Sequence, residues 1–412
     1  MKKKIIYIHQ YFTFPESSGG TRSYDLSKKF ILNGFDVTFL TTSSMIKDFN
    51  NPKNKNWVYL EREGIKFWVL DCNYNQRMSV PQRLKVFFKF FFYSSIKITQ
   101  LKADLVLATS TPLTTSIPAL VKKFYSKTPY IFEARDIWPE GPIQLGYVKN
   151  RLIIKMLRIF EKFIYKQASH VVVLSVGMKR CILERMGEVN KIGVIPNISE
   201  IKRFENISNQ IELPFDFKNK KVVLYAGTLG PVNNIMYVAE LAKKLINQNI
   251  KNIVFLILGD GNEKEKTVSY CREHGLLNNN MFFMDNIPKN SLPYLYSKVT
   301  MGSSFVLDNK IKWDNSANKF FDTLAAGKPI LINYQGWQAD LIKEKNCGYI
   351  LPAHPSDIDA LDFAEYLKDD KLLSIQSANS KEIGSKEFSL DILSSKYLHI
   401  LNTVVKNGKQ NI

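Results

Sequence analysis

The 412 residues exceed what one hydrophobic core usually organises, so two α/β domains are the expectation. A hydrophobic fraction of 45% suits a globular chain, no apolar run approaches the ~20 residues of a membrane-spanning helix, and Cys72, Cys181, Cys271 and Cys347 lie too far apart for CxxC metal spacing or a disulfide framework. The net charge of +19 is uneven: residues 1–206 carry 33 Lys and Arg against 16 Asp and Glu, residues 207–412 carry 24 against 22. A basic half of this kind serves nucleic acid, anionic lipid or phosphorylated substrates, and no nucleic-acid-reading motif accompanies it.

The opening MKKKIIYIHQ sets basic residues before a very short apolar run with no small-residue cleavage site, so it reads as a buried first strand rather than a signal peptide, and the protein as cytoplasmic. The glycine-bearing loop and amphipathic stretch SSGGTRSYDLSKKFILNGF follow, then the apolar run DVTFLTT. Val80 to Lys102 interleaves six aromatics with Arg83, Lys85, Lys89, Lys97 and Lys102, a pattern that favours an anionic membrane surface and reads second as an ordinary core helix whose phenylalanines pack inward. ADLVLATS, TPYIFEARD and SHVVVLS continue the strands, and a linker is expected around residues 197–220. The second half repeats this grammar: KVVLYAGTLG, the helical NNIMYVAELAKKLINQ, NIVFLILGDG, then MFFMDN, TMGSSFV and KPILINY. Alternating β-branched runs and helical periodicity predict α/β architecture, two doubly wound Rossmann-like domains with parallel sheets facing an interdomain cleft.

In such sheets ligands bind beyond the carboxyl ends of strands, where loops meet helix N-termini. Gly227-Thr228-Leu229-Gly230 and Gly259-Asp260-Gly261 stand there and read equally well as plain strand-to-helix turns or as phosphate cradles; neither half opens with GxGxxG. Asp136 follows a buried run, flanked by Arg135 and the rigid Trp138-Pro139 pair; it reads as a carboxylate that orients substrate or as half of an Asp136–Arg135 loop pair. Ser175 after VVVL stands at a strand end and touches a substrate or caps the next helix, and His9 reads more readily as a satisfied core histidine than as a site residue. Asp357 and Asp359 mark a helix start rather than a metal pair.

Residues 313–329, WDNSANKFFDTLAAGKP, resemble the donor-site signature of retaining family 4 glycosyltransferases of the GT-B fold, with two acidic residues seven positions apart before an AAGKP-like turn. The pair here is Asp314 and Asp322 where the family has glutamates. Gly19-Gly20 resembles the family's first glycine loop, residues 133–140 (EARDIWPE) the ERDxWPE-type loop of surface-polysaccharide members, and Ile195-Pro196-Asn197 the interdomain hinge. One departure is Pro231-Val232-Asn233-Asn234, where many members place an Arg and a Lys for the diphosphate.

The resemblance implies a metal-independent, retaining transferase without cofactor, moving a sugar from a nucleoside diphosphate, UDP by preference, to a lipid-linked saccharide in O-antigen or capsule synthesis, of the N-acetyl-L-fucosaminyltransferase type. Residues 1–200, completed by a helix at 389–405, would hold the acceptor; residues 201–388 would hold the nucleotide sugar. Donor contacts fall on Gly19, Gly20, Gly227, Thr228, Gly230, Gly259, Gly261, Asn315, Ser316, Asn318, Lys319 and Asp322, with Lys319 on the diphosphate and Asp322 on the ribose. Arg135, Trp138 and Ser175 would line the acceptor side, with Asp136 and Lys319 catalytic. The protein is expected to sit peripherally on the inner leaflet through residues 80–102. Two rival readings are a GT-B nucleotide-sugar epimerase and a non-catalytic basic protein that binds membrane or nucleic acid.

Overall fold

Strands buried on both faces need near-continuous apolar sequence, and the β-branched runs supply it. The structure is a computed structural model that describes residues 2–46, 49–51, 55–74, 78–144, 146–187 and 191–410. The chain forms two units: Met1–Phe14, Thr21–Pro196 and Asp391–Ile412 make one, Pro15–Gly20 and Asn197–Leu390 the other.

Unit 1 is built on β1 (Lys3–Ile8), β2 (Phe35–Thr42), β3 (Trp57–Arg62), β4 (Ile65–Leu70), β5 (Leu105–Thr109), β6 (Tyr130–Ala134), β7 (His170–Val173) and β8 (Ile192–Val194). They form one sheet in the order β3-β4-β2-β1-β5-β6-β7-β8, parallel except for β3, which is antiparallel to β4. The β3–β4 hairpin turns on Glu63 and Gly64, both at positive φ (52° and 76°), as a two-residue turn matched to strand twist requires.

Its helices are α1 (Arg22–Leu32), α2 (Val80–Thr99), α3 (Ser116–Ser126), α4 (Glu140–Gln144), α5 (Arg151–Gln167) and α6 (Val176–Met186). From β4 through β5, β6, β7 and β8 the crossovers step in one direction, so right-handed connection sets α2, α3, α5 and α6 in a row on one sheet face, and α1 on the other. The C-terminal helix (Leu390–Gln410) packs beside α1, Tyr397 lying 5.4 Å from the Phe30 ring.

Unit 2 carries β9 (Lys221–Ala226), β10 (Ile253–Leu258), β11 (Met281–Met284), β12 (Met301–Ser304), β13 (Ile330–Ile332) and β14 (Gly348–Ile350), all parallel in the order β11-β10-β9-β12-β13-β14. Its helices are α7 (Ile201–Glu205), α8 (Ile235–Asn247), α9 (Lys264–Glu273), α10 (Leu292–Lys298), α11 (Lys310–Trp313), α12 (Asn318–Ala325), α13 (Trp337–Lys345), α14 (Asp357–Tyr366) and α15 (Asp370–Lys386). Successive strand residues point to opposite faces, so Val223 and Tyr225 pack with Leu241 and Leu245 of α8, while Val222 and Leu224 pack with Leu295 and Tyr296 of α10. The Pro15–Gly20 segment is held by the Lys289 and Asn290 amides, which donate to the Ser17 and Pro15 carbonyls (3.0 and 3.2 Å).

Residues 80–99 of the aromatic stretch form α2, and burial decides which of its side chains face water. Phe90 is buried and Phe87 and Phe91 are half-buried, whereas Leu84, Phe88, Phe92 and Ile96, each four residues apart, form the exposed stripe. Lys89 donates to the Asp71 carbonyl (2.9 Å), and the Lys97 ammonium lies 3.3 Å from the Trp68 ring centre. The Val80 side chain lies outside the described residues. Among the described residues no helix is long and apolar enough to cross a membrane.

Candidate functional site

In unit 2 the loops after β9 and β10 interlock through their backbones. Gly227 donates to the Leu258 carbonyl (2.9 Å), Leu229 to that of Asp260 (2.9 Å) and Glu263 to that of Leu229 (2.9 Å). Gly259 and Gly261 hold φ of +149° and +156°, and a Cβ there would stand 1.9 Å from the Gly227 oxygen and 2.4 Å from the Leu229 oxygen. These two glycines therefore have a packing reason, while a Cβ on Gly227 would press on Lys319 Cε at 2.9 Å. Gly230 and Thr228 continue the loop, and the Thr228 carbonyl accepts from the Tyr225 hydroxyl (2.7 Å).

Lys319 enters this loop from the first turn of α12. It is only 8% exposed; its Nζ donates to the Tyr225 hydroxyl (3.0 Å) and Asn233 Oδ1 (3.2 Å) and lies 4.4 Å from the Tyr225 ring centre. Burial lowers its pKa to about 7, with the Asp322 charge pulling the other way. Among the described residues no carboxylate lies within ion-pair reach of this ammonium. A buried cation offered only neutral oxygens is a ready partner for an anionic ligand.

Asp322 lies one turn further along α12, buried, and accepts from buried Lys289 at 2.5 Å. The α12 entry is anchored on both sides: Asn197 Nδ2 donates to the Ser316 carbonyl (2.5 Å), and Trp337 Nε1 to that of Asn315 (2.9 Å). Asn315 Oδ1 accepts from the Ala317 amide (3.0 Å), and Asp314 lies half-buried between α11 and α12. Gly20 adjoins Asn318 so closely that a Cβ would fall 2.3 Å from Asn318 Nδ2; Gly19, with φ +121°, makes the preceding turn.

In unit 1 the end of β6 separates three roles within four residues. Glu133 is buried against Arg22, whose Nε and Nη2 lie 3.0 and 2.9 Å from Oε1, while Thr109 and Tyr7 donate to Oε2 (2.9 and 3.4 Å). Burial opposes ionisation of Glu133, but Arg22, Arg135 and these hydrogen bonds prevail and hold its carboxyl below the ordinary value. Arg22 also donates to the Ile195 and Pro196 carbonyls. Arg135 lies half-buried, its Nη1 3.3 Å from His9 Nε2. Burial first and the Arg135 charge second press the His9 pKa well below its usual value. Guanidinium only donates, so Nε2 accepts and Nδ1 donates to Ser23 Oγ (2.7 Å).

Asp136 is exposed and accepts from Thr111 Oγ1 (2.5 Å). The sequence left open an Asp136–Arg135 pair; among the described residues each side chain instead has the partner just given. Trp138 is half-buried, and Glu140 is buried under Arg158 (2.9 and 3.1 Å) and Arg185 (3.1 Å), so the last acid of EARDIWPE ties α4 to α5 and α6. Ser175 caps α6, its Oγ accepting from the Met178 amide (3.0 Å). Asp359 completes a capping box with Ser356 at the start of α14. Among the described residues no cluster of three His, Cys, Asp or Glu is placed to hold a metal ion.

Two family descriptions match in tandem: "Glycosyl transferase 4-like domain" over residues 19–198 and "Glycosyl transferases group 1" over residues 209–383. The chain belongs to the GT-B glycosyltransferases of the family 4 type. Among curated relatives, the putative colanic acid biosynthesis glycosyl transferase WcaI of Escherichia coli (strain K12) is 24% identical over 52% of this chain and 53% of its own. The UDP-Gal:alpha-D-GlcNAc-diphosphoundecaprenol alpha-1,3-galactosyltransferase of Escherichia coli is 27% identical over 56% of this chain and 58% of its own. The match thus spans little more than half the length of these relatives. The solved sucrose-phosphate synthase from Thermosynechococcus elongatus superposes over 98% of this chain and 100% of its own with a TM-score of 0.77 at 14% identity, a likeness of fold.

Against this family the Pro231–Asn234 departure acquires a structural meaning. Where other members place cations, Asn233 supplies an acceptor that holds Lys319. Sequence reasoning missed Lys289, Tyr225 and the Arg22–Glu133 pair. Lys289 stands 33 positions from Asp322 in a loop with no motif of its own, and Arg22 stands 111 from Glu133. Glu133 carried a signal as the first letter of EARDIWPE, while Arg22 and Tyr225 stood inside quoted runs that gave them no role.

Proposed function

We propose that this glycosyltransferase moves a sugar from UDP to a lipid-linked saccharide during synthesis of a surface polysaccharide such as O-antigen or capsule, with retention at the anomeric carbon. The observation that carries the reading is Lys319: a buried ammonium beside a glycine loop, coordinated only by neutral oxygens, suits a diphosphate. As the sugar–phosphate bond breaks, negative charge grows on the departing diphosphate, and a preorganised cation at that point lowers the barrier. The first turn of α12 adds its dipole. Asp322 and Lys289 take the nucleoside side, with the carboxylate receiving ribose hydroxyls. Gly19, Gly20, Asn315, Ser316 and Asn318 shape the wall beside α12.

In the retaining course the acceptor oxygen bonds the anomeric carbon on the face the diphosphate leaves, and the acceptor's proton passes to the departing phosphate oxygen. Asp136, exposed at the end of β6, orients the acceptor hydroxyl, with Arg135, held by His9, and Trp138 beside it. The lipid-linked acceptor and the UDP donor draw support from the galactosyltransferase relative, and the N-acetyl-L-fucosamine class from the RDIWPE and NSANKFFD segments together. An enzyme of this kind works peripherally at the inner leaflet.

A thermal-shift panel of UDP-, GDP- and dTDP-sugars, followed by mass spectrometry of a polyprenyl-diphosphate saccharide incubated with the selected donor, tests the reading. A UDP-sugar that stabilises the fold and adds one sugar mass to the acceptor supports it. Donor conversion without acceptor, or no nucleotide preference, refutes it.

A further inference from the structure

At about 3.6 residues per turn, α5 divides into three sectors along its length. Leu157, Glu161, Ile164 and Tyr165 turn inward, Glu161, Ile164 and Tyr165 fully buried and Leu157 in part. The second sector is apolar and exposed: Leu152 67%, Ile153 49%, Met156 61%, Ile159 60% and Phe163 41%. Arg151, Lys155, Arg158, Lys162 and Lys166 form the third, an unbroken basic row beside the apolar one. The sole acid of the helix is the buried Glu161. A helix packed only against its own domain has no use for a solvent-facing apolar stripe spanning its whole length.

The basic row borders a groove of about 730 Å³ between α5 and α6, where Arg151, Lys155, Arg158, Lys162 and Arg185 line the walls with Ile159. Two carboxylates, Glu140 and Glu161, answer Arg158 and Arg185. The charge of the groove stays positive. The apolar surface also continues sideways: Phe124 of α3, 59% exposed, stacks on Phe163 at 6.5 Å, Tyr125 is 69% exposed, and the α2 stripe belongs to the same row of helices.

We infer that α5 is the principal seat of the protein on an anionic bilayer, its groove taking phosphate-bearing head groups while Leu152, Met156, Ile159 and Phe163 enter the acyl boundary. An exposed apolar stripe with lysines and arginines along one border matches a surface with negative phosphates above hydrocarbon, and charge complementarity selects lipid over a protein partner. The inference deepens the proposed lipid-linked acceptor and rests on that reading for its purpose, though not for its evidence. It moves the main contact from α2, whose basic residues are partly engaged inside the fold, to a helix whose basic row faces outward.

The test uses the full chain and sedimentation with vesicles of phosphatidylcholine alone or mixed equally with phosphatidylglycerol. Wild type should prefer the anionic vesicles and lose affinity with salt. Lys155→Gln with Lys162→Gln should weaken binding about thirtyfold, and Met156→Ser with Ile159→Ser about tenfold or more, with melting temperatures unchanged. Lys155→Arg with Lys162→Arg should bind as wild type. Undiminished binding by both α5 pairs overturns the inference, and so does an equal loss confined to Leu84→Ser with Phe88→Ser. Conversion of a dimer to monomer by Met156→Ser with Ile159→Ser, vesicle binding intact, overturns it in favour of a second copy on this face. UDP-glucose binding by calorimetry should be equal in all α5 variants; a chain that binds vesicles but no nucleotide sugar supports the docking and refutes the transfer reading.

Discussion

Lys319 should make donor binding proton-linked. Burial brings its pKa to about 7, so at pH 7 about half the unliganded molecules carry the ammonium. A diphosphate beside Nζ favours the charged form and raises that pKa, and the diphosphate of a UDP-sugar keeps a constant charge through this range. Binding then takes up about half a proton at pH 7 and about nine-tenths at pH 8, and affinity falls as pH rises through 7, approaching tenfold per unit, or about 1.4 kcal/mol. Below pH 6 it levels off. Calorimetry of UDP-glucose, or of the UDP-sugar selected by the thermal-shift panel, in two buffers of different ionisation enthalpy reads the proton count directly. Lys319→Arg should abolish the uptake because guanidinium stays charged, and Lys319→Met should abolish it and lower turnover by roughly 10²-fold or more. A pH-independent affinity with no proton uptake in the wild type would refute the assignment of this ammonium to the diphosphate.

Asp322→Ala should cost about 3 kcal/mol or more in urea unfolding, because it leaves Lys289 charged and buried, and should weaken nucleotide binding. Asp322→Leu with Lys289→Met should regain stability without regaining affinity, which separates the two effects. Asp136→Asn should lower transfer while leaving the melting temperature within about 1 °C, since the carboxylate is exposed and the amide can still accept from Thr111. Gly259→Ala should destabilise the protein by about 3 kcal/mol or more in the same urea assay, its Cβ meeting the Gly227 oxygen at a backbone angle only glycine adopts comfortably.

The strands that follow one apolar run each were legible, because parallel strands buried on both faces write themselves as continuous Val, Ile, Leu and Phe. The β3–β4 hairpin was not read: WVYLER forms the sheet's edge with none of its residues buried and runs into the charged Glu61, Arg62 and Glu63, and the turn is Glu-Gly rather than the stronger Asn-Gly signal. Strands β8 and β14 are three residues long, too short to show a period. At the candidate site, Lys319 and Asp322 of α12 were legible through the resemblance of residues 313–329 to the family's donor-site signature. Their partners did not announce themselves, since Tyr225, Asn233 and Lys289 reach them from loops and strands whose meeting is decided by tertiary packing. In α2 the sequence showed which residues were aromatic but not which way each turned: Phe87 and Phe91 lean into the fold, and Phe88 and Phe92 lie on the exposed stripe. The three-sector pattern of α5 was present in the letters but becomes meaningful only once burial separates inward apolar residues from outward ones.

The C-terminal helix gives unit 1 an unusual birth order. Leu393, Tyr397, Leu401, Val404 and Val405 are buried against an assembly whose other parts leave the ribosome before Asn197. Residues 197–390, all of unit 2 except its Pro15–Gly20 segment, are synthesised in the interval. Throughout that time the α1 side of unit 1 carries an open apolar trough, with Phe30 waiting for Tyr397, and the nascent chain is exposed to chaperones and proteases at that place. Chains truncated after residue 390 and released from the ribosome should therefore be cut readily within unit 1 while unit 2 is resistant.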